Sequence, residues 1–112
     1  MPDDLSKEEI EAHAGDDMHR VYALTTTWES LGVLVFRREL SLSLVDDFFS
    51  GPITISWRKL KPYMLGERAE QQRETIGEWF EWLADQLAKR ESSIPPVPAH
   101  IAHRSWEETG AP

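Results

Sequence analysis

The chain has 112 residues, no cysteine and a net charge of −8 at neutral pH. This length suits one domain, and the absence of cysteine excludes disulfides, catalytic thiolates and zinc–thiolate sites. Residues 1–17 contain seven acidic residues and one lysine, so this acidic leader carries most of the net charge. Binding to nucleic acids or anionic membrane surfaces is therefore disfavoured. The longest apolar run, residues 31–36, is far shorter than the roughly 20 residues that span a bilayer. We expect no transmembrane segment and a cytoplasmic location.

The first predicted helices lie in the leader and directly after it. Ser6 followed by Glu9 fits a capping box, but the leader has only two large apolar residues, Leu5 and Ile10, so we expect it to pack loosely. From residue 18 onward, apolar side chains recur at steps of three and four, which predicts a helix over 18–37. These side chains are Met18, Val21, Leu24, Trp28, Leu31 and Val35.

Two shorter helices are predicted next, over 42–50 and 52–65. In the first, Leu44 and Phe48 form an apolar row beside a second row, a pattern typical of a helix wedged between others. Gly51 and Pro52 fit a helix stop followed by the first residue of a new helix. Residues 53–57 alternate like a strand, but a lone strand would have no partner, so we favour a helix with a kink or break near Pro62.

The segment from 67 to 90 has the longest unbroken helical pattern, and the rest of the chain is predicted to pack around it. Its apolar stripe comprises Ile76, Trp79, Phe80, Leu83 and Leu87. The fold class is therefore all-α, a small bundle of four main helices. We divide the chain into the leader (1–17), a helical domain (18–91) and a proline-rich tail (92–112). The predicted core comprises Leu24, Trp28, Leu31, Phe49, Trp57, Leu60, Ile76, Phe80 and Leu83.

The core pattern resembles that of an uncharacterised bacterial helical family. The resemblance rests on W-E-S-L-G-V-L-V, S-L-V-D-D-F-F, I-x-x-S-W-x-x-L-x-P-Y and E-W-F-E-W-L-A, and it covers roughly residues 20–90. Families of this type are classed as domains of unknown function, and relatives often carry a membrane helix upstream, where this chain has its acidic leader. The resemblance implies an all-α fold and brings no catalytic residue.

Three clusters of polar or aromatic residues are candidates for a binding site. Trp82 lies beside the apolar stripe of the last long helix, where either a neighbouring segment covers it or a partner binds it. Acidic residues at helical spacing form a stripe that a basic partner could neutralise; they are Glu74, Glu78, Glu81 and Asp85. The candidate anion-binding residues are Arg58, Lys59 and Lys61, for which pairing with the leader is the simpler account.

No catalytic, metal or cofactor site is predicted. His100 and His103 form H-x-x-H, and His13 and His19 lie near Asp16 and Asp17, but neither set supplies the three or four fixed ligands of a zinc site. We expect a non-enzymatic helical interaction module that uses Trp82 and the acidic stripe to bind a protein partner or to form a homodimer. The alternative is a regulatory domain for a small anionic ligand, with Trp57 and Tyr63 lining the pocket. A cryptic enzyme is the least favoured interpretation.

Overall fold

The computed structural model describes residues 1–109, and within that range it contains helices and no strands. The last three residues of the proline-rich tail lie outside it. The helices are α1 (Lys7–Ala14), α2 (Met18–Phe36), α3 (Leu42–Gln71), α4 (Glu78–Ser93) and the single turn α5 (Ala99–Ala102), with a 3₁₀ turn at Gly15–Asp17. The predicted all-α bundle is confirmed, although its helices are divided differently along the chain.

Helix α4 holds the bundle together because it packs against both α2 and α3. Its residues Phe80, Leu83 and Leu87 are fully buried. The approach of α4 to α2 is closest at Gly32, where a Cβ atom would collide with the backbone carbonyl of Trp79. Only glycine allows this helix contact, which places the first turn of α4 directly on α2.

The acidic leader packs more tightly than expected. Ser6 and Glu9 form the predicted capping box, so α1 begins where the sequence indicated. Ile10 is fully buried, and the aliphatic part of Lys7 lies across Gly66 on α3. The ammonium group of Lys7 pairs with Glu67 at 3.1 Å and also with Glu70. Helix α1 is therefore held to α3 by both apolar packing and ion pairs.

The two predicted helices at 42–50 and 52–65 are one helix, so the predicted stop at Gly51 is wrong. Helix α3 runs for 30 residues and contains both Pro52 and Pro62. The hydroxyl of Thr54 donates to the carbonyl of Ser50 at 2.9 Å, one turn earlier on the same helix. A single buried stripe continues through both prolines and outweighs their local cost. It comprises Val45, Ile53, Leu60 and Met64.

The predicted helix at 67–90 is also wrong, because the chain turns back within it. Helix α3 ends at Gln71 and is followed by Gln72, which adopts the left-handed conformation with φ 52°. Helix α4 begins after Gly77, which has φ 69°. The buried side chain of Arg68 donates from Nε to the carbonyl of Ile76 at 2.7 Å, which fixes the turn between the helices. The amphipathic pattern continues through the turn, so periodicity alone could not locate it.

Most of the predicted core is confirmed, with two corrections. Trp28, Leu60, Phe80 and Leu83 are buried, and Leu31, Trp57 and Ile76 pack against them. Leu24 and Phe49 are instead 38% and 37% exposed. Leu24 lies one turn before Trp28 on α2, and Phe49 packs on the ring of Trp28. Between α2 and the first half of α3, these side chains stay partly open to solvent.

Candidate interaction surface

Three exposed apolar side chains lie along the first half of α3. Leu44, Phe48 and Ile55 are 44%, 69% and 45% exposed. Together with Gly51 they follow one another at i, i+4, i+7 and i+11, so all four share one face. We call these four residues the α3 stripe. The row containing Leu44 and Phe48, which the sequence pattern placed between other helices, therefore faces outward.

The rings behind the stripe hold its most exposed side chain in place. Phe48 packs on Phe49 with ring centroids 5.7 Å apart, and Phe49 packs on buried Trp28 at 5.5 Å. This chain of rings links the surface to the core. A large aromatic side chain with rigid support is the kind of group that dominates the energy of protein interfaces.

The second half of α3 is covered where the first half is not. Helix α1 packs there, and Gly66 lies beneath the side chain of Lys7. At the boundary, Asp3 pairs with Arg58 at 3.2 Å and with Lys59 at 3.5 Å. The N-terminal segment thus covers α3 only from the residues just after Ile55 onward. The α3 stripe therefore continues, without a covering helix, the same face of α3 that α1 covers in the second half.

The candidate anion-binding residues fall at this boundary. Asp3 binds the side chains of both Arg58 and Lys59, and Lys59 also donates to the carbonyl of Met1. Lys61 is exposed and has no salt bridge within residues 1–109. Pairing with the leader is the arrangement that the structure shows. An anionic ligand at this place would compete with the carboxylate of Asp3.

Trp82 is partly buried and contacts two other rings. Its ring meets Phe36 edge to face at a centroid distance of 5.8 Å and Trp79 at 5.9 Å. The end of α2 and the following loop cover much of it. Of the two alternatives for Trp82, cover by a neighbouring segment is therefore the one observed. An open groove of about 570 Å³ remains beside it, lined also by Leu40, Leu42 and Gln86.

The four acidic residues of the predicted stripe do not share one helix face. Glu74 lies in the turn before α4, whereas Glu78 and Asp85 are exposed on α4. Glu81 pairs with Arg68 at 3.0 Å, so its charge is already balanced within the chain. The stripe assumed an unbroken helix through residue 74, and the turn at 72–77 separates its first member.

Sequence reasoning missed the most important polar contact, which is made by Glu29. Its carboxylate, on α2, accepts hydrogen bonds from the backbone N–H groups of Trp79 and Phe80, the latter at 3.2 Å. It therefore caps α4, whose own N-cap residue, Gly77, has no side chain. Burial raises the pKa of Glu29, and the two N–H groups oppose that shift. The W-E-S-L-G pattern contained Glu29, but nothing local marks it as a cap.

The two rings assigned to an anion pocket pack inside the bundle. Trp57 meets buried Phe80 edge to face with ring centroids 5.1 Å apart. Tyr63 is 2% exposed, and its hydroxyl has no hydrogen-bond partner within residues 1–109. His100 and His103 lie in and just after α5, both exposed. In the part of the chain that the structure describes, no three metal-binding side chains come together.

A comparison with protein families gives a match to a domain of unknown function, DUF4760, over residues 1–87. The chain belongs to the DUF4760 family. The predicted relation to an uncharacterised helical family is thereby confirmed, and the match begins in the acidic leader rather than near residue 20. All of the fully buried side chains fall within it, from Ile10 to Leu87.

Neither the curated proteins nor the solved structures contain a match to this DUF4760 chain. Among residues 1–109, no helix combines the length and the apolar character needed to cross a membrane.

Proposed function

We propose that this DUF4760 domain is a non-enzymatic, cytoplasmic protein-interaction module whose contact surface is the α3 stripe. The observation that carries the proposal is the exposure of Phe48. Its side chain is 69% exposed to solvent, and its ring is held in place by the aromatic residues behind it. Exposed apolar residues that occur singly are ordinary, but a row on one helix face is typical of a surface that binds another protein.

The α3 stripe supports the proposal better than the surface around Trp82. Leu44, Phe48 and Ile55 carry no titratable group and form an exposed apolar row along one helix face, the kind of row that packs against another helix. At the alternative surface, Trp82 is covered by Phe36 and Trp79, and the nearby Glu81 has an internal partner. The anion-binding alternative ranks behind both, because Asp3 competes for its cations.

Site-specific cross-linking in the cells that produce the protein tests the proposal. Phe48 is replaced by the photoreactive residue p-benzoyl-phenylalanine, and the same replacement at Tyr22, an exposed aromatic residue of α2, is the matched control. We expect a discrete protein adduct from position 48 after illumination and none from position 22. A third chain carries the probe at Trp82.

The absence of an adduct at position 48 would contradict the proposal. An adduct at Trp82 without one at Phe48 would move the contact surface to the groove beside α2. The mass of the adduct also identifies the type of partner, since a second copy of the chain doubles the 12.9 kDa mass of one copy.

A further inference from the structure

The charged side chains beside the α3 stripe favour one particular partner. Resting on the proposed function above, we infer that the stripe binds a second copy of this chain, with the two α3 helices antiparallel across a two-fold axis near Gly51 and Pro52.

Two of the three apolar side chains of the stripe, Phe48 and Ile55, are placed symmetrically about the Gly51–Pro52 peptide. Phe48 lies about three residues before the Gly51–Pro52 peptide, and Ile55 lies about three residues after Pro52. When two such helices run antiparallel about that centre, Phe48 of each copy lies opposite Ile55 of the other. The contact between Phe48 and Ile55 then forms twice, once on each side of the axis, as an isologous interface requires.

The centre of the stripe allows a close approach. A Cβ atom added at Gly51 would meet nothing within 4 Å, so the backbone of α3 is open to solvent there. Neighbouring Pro52 is also exposed and lacks a backbone N–H group. At Gly51 neither helix has a side chain that would hold the second copy at a distance, and the proline-rich tail borders the contact on the side of Asp47. The flanking Phe48 and Ile55 side chains can therefore reach across.

The charges at the edge of the stripe fit the antiparallel arrangement. Asp47 and Arg58 lie on the same side of the stripe, each about 60° from its centre when residues advance by about 100°. They are eleven residues apart along α3 and do not pair with each other. Asp47 has no salt bridge within residues 1–109, and Arg58 is 60% exposed while it contacts Asp3.

A two-fold axis brings like edges of the two helices together with their directions reversed. Asp47 of one copy then comes within one helical turn of Arg58 of the other, where it joins the carboxylate of Asp3 beside the guanidinium group. The same pair forms again on the far side of the axis. In a parallel arrangement the edge that carries Asp47 and Arg58 would meet the opposite edge of the other helix, so neither of these pairs would form. The charges thus favour the same antiparallel register as the apolar contacts.

Charge exchange tests this register by sedimentation velocity on the full chain. We expect a concentration-dependent dimer for the unchanged protein. Asp47→Arg and Arg58→Asp should each weaken the dimer about tenfold or more, because each creates two repulsive contacts. The double variant Asp47→Arg/Arg58→Asp should restore most of the affinity, because both pairs form again with their charges exchanged.

Two further variants serve as controls. Asp85→Arg makes the same change at an exposed position of α4, and it should leave the dimer unaffected. Phe48→Glu should abolish the dimer while the circular dichroism spectrum and melting temperature of the monomer stay close to those of the unchanged chain, because its side chain is exposed.

The possible results separate this inference from the proposed function. A monomer at all concentrations up to several hundred micromolar would overturn self-association, whereas a cross-link from position 48 to a different protein would still support the interaction module. A dimer that survives Phe48→Glu would overturn the stripe as its interface. Failure of the double variant to recover affinity would overturn the antiparallel register.

Discussion

Glu29 shows how one side chain can decide where a helix begins. A carboxylate that caps a helix normally belongs to the residue just before that helix. Here the capping residue lies on α2, about fifty positions earlier in the chain, and it reaches the first N–H groups of α4. The contact also fixes α4 against Gly32, where the two backbones are closest.

We predict that Glu29→Ala lowers the free energy of unfolding by about 1–2 kcal/mol, because two N–H groups at the start of α4 lose their acceptor. Glu29→Gln should lose less, since the amide oxygen still accepts a hydrogen bond. Urea unfolding followed by circular dichroism measures both values. Equal losses for Ala and Gln would contradict the capping role.

The two variants also predict a difference in pH dependence. Burial raises the pKa of Glu29 above its usual value of 4.5, so just above that pH the folded state holds a proton that the unfolded state has released. The contribution of Glu29 to stability therefore falls as the pH rises through this interval. Glu29→Gln has no such proton and should show a flatter stability profile between pH 4.5 and neutrality.

At the scale of the element, α3 continues through two prolines because its buried stripe spans both of them. Val45 and Ile53 lie on opposite sides of Pro52 along the chain and face the same core. Proline inside a helix removes one hydrogen bond and crowds the carbonyl four residues earlier. The apolar burial along 30 residues outweighs this cost.

Pro52→Ala tests whether α3 is continuous. In a continuous helix, alanine restores the N–H bond to the carbonyl of Phe48 and relieves the crowding, so we expect a gain in stability of about 1–3 kcal/mol. If a new helix began at residue 52, proline would be favourable there and the change would be neutral or destabilising. Thermal unfolding at low protein concentration, where dimers do not contribute, distinguishes these results.

The difference in helix length accounts for the exposed stripe. Helix α3 has 30 residues, α4 has 16 and α1 has eight. Helix α4 covers one face of α3, and α1 covers a second face only along the later half. The first half therefore has an apolar face without a helix against it, and that face carries the α3 stripe.

At the scale of the whole molecule, Lys7 joins the acidic leader to the bundle. Its ammonium group lies among three carboxylates, those of Glu11, Glu67 and Glu70. The hydrogen bond to Glu70 raises the pKa of Lys7 above its usual 10.5, with Glu67 adding to the effect and burial opposing it. Beneath it, burial raises the pKa of the Tyr63 hydroxyl above 10.0.

Both shifts predict loss of stability in alkali. The stabilisation from Lys7 is complete below pH 10.5 and is lost as the pH rises toward its raised pKa. Tyr63 acts in the same direction, because above pH 10.0 the unfolded state releases its proton first. We expect the free energy of unfolding to decline steeply above pH 10.

Urea titrations between pH 8 and 12 measure this decline in the free energy of unfolding. Two variants separate the contribution of Lys7 from that of Tyr63. Lys7→Met, whose side chain can still cover Gly66, should reduce the slope, and Tyr63→Phe should reduce it independently. A slope in Lys7→Met equal to that of the unchanged chain would show that α1 is held by apolar packing alone.

The amino-acid sequence by itself determined the fold class, the helix predicted at 18–37, which the structure ends one residue earlier, and part of the core. Trp28, Leu60, Phe80 and Leu83 were identified correctly because apolar periodicity is a local property of an amphipathic helix. The capping box of Ser6 and Glu9 was equally readable, since its partners are three residues apart. Membership of a family without assigned function also followed from the pattern of core residues.

Only the tertiary structure decided where the long helices end and which apolar residues stay exposed. The turn at 72–77 depends on the hydrogen bond from Arg68 of α3 to a carbonyl within the turn and on the cap that Glu29 of α2 supplies to α4. The exposure of Phe48 depends on how far α1 and α4 extend along α3. Such contacts join residues that are distant in the sequence, so periodicity, which compares only near neighbours, cannot reveal them.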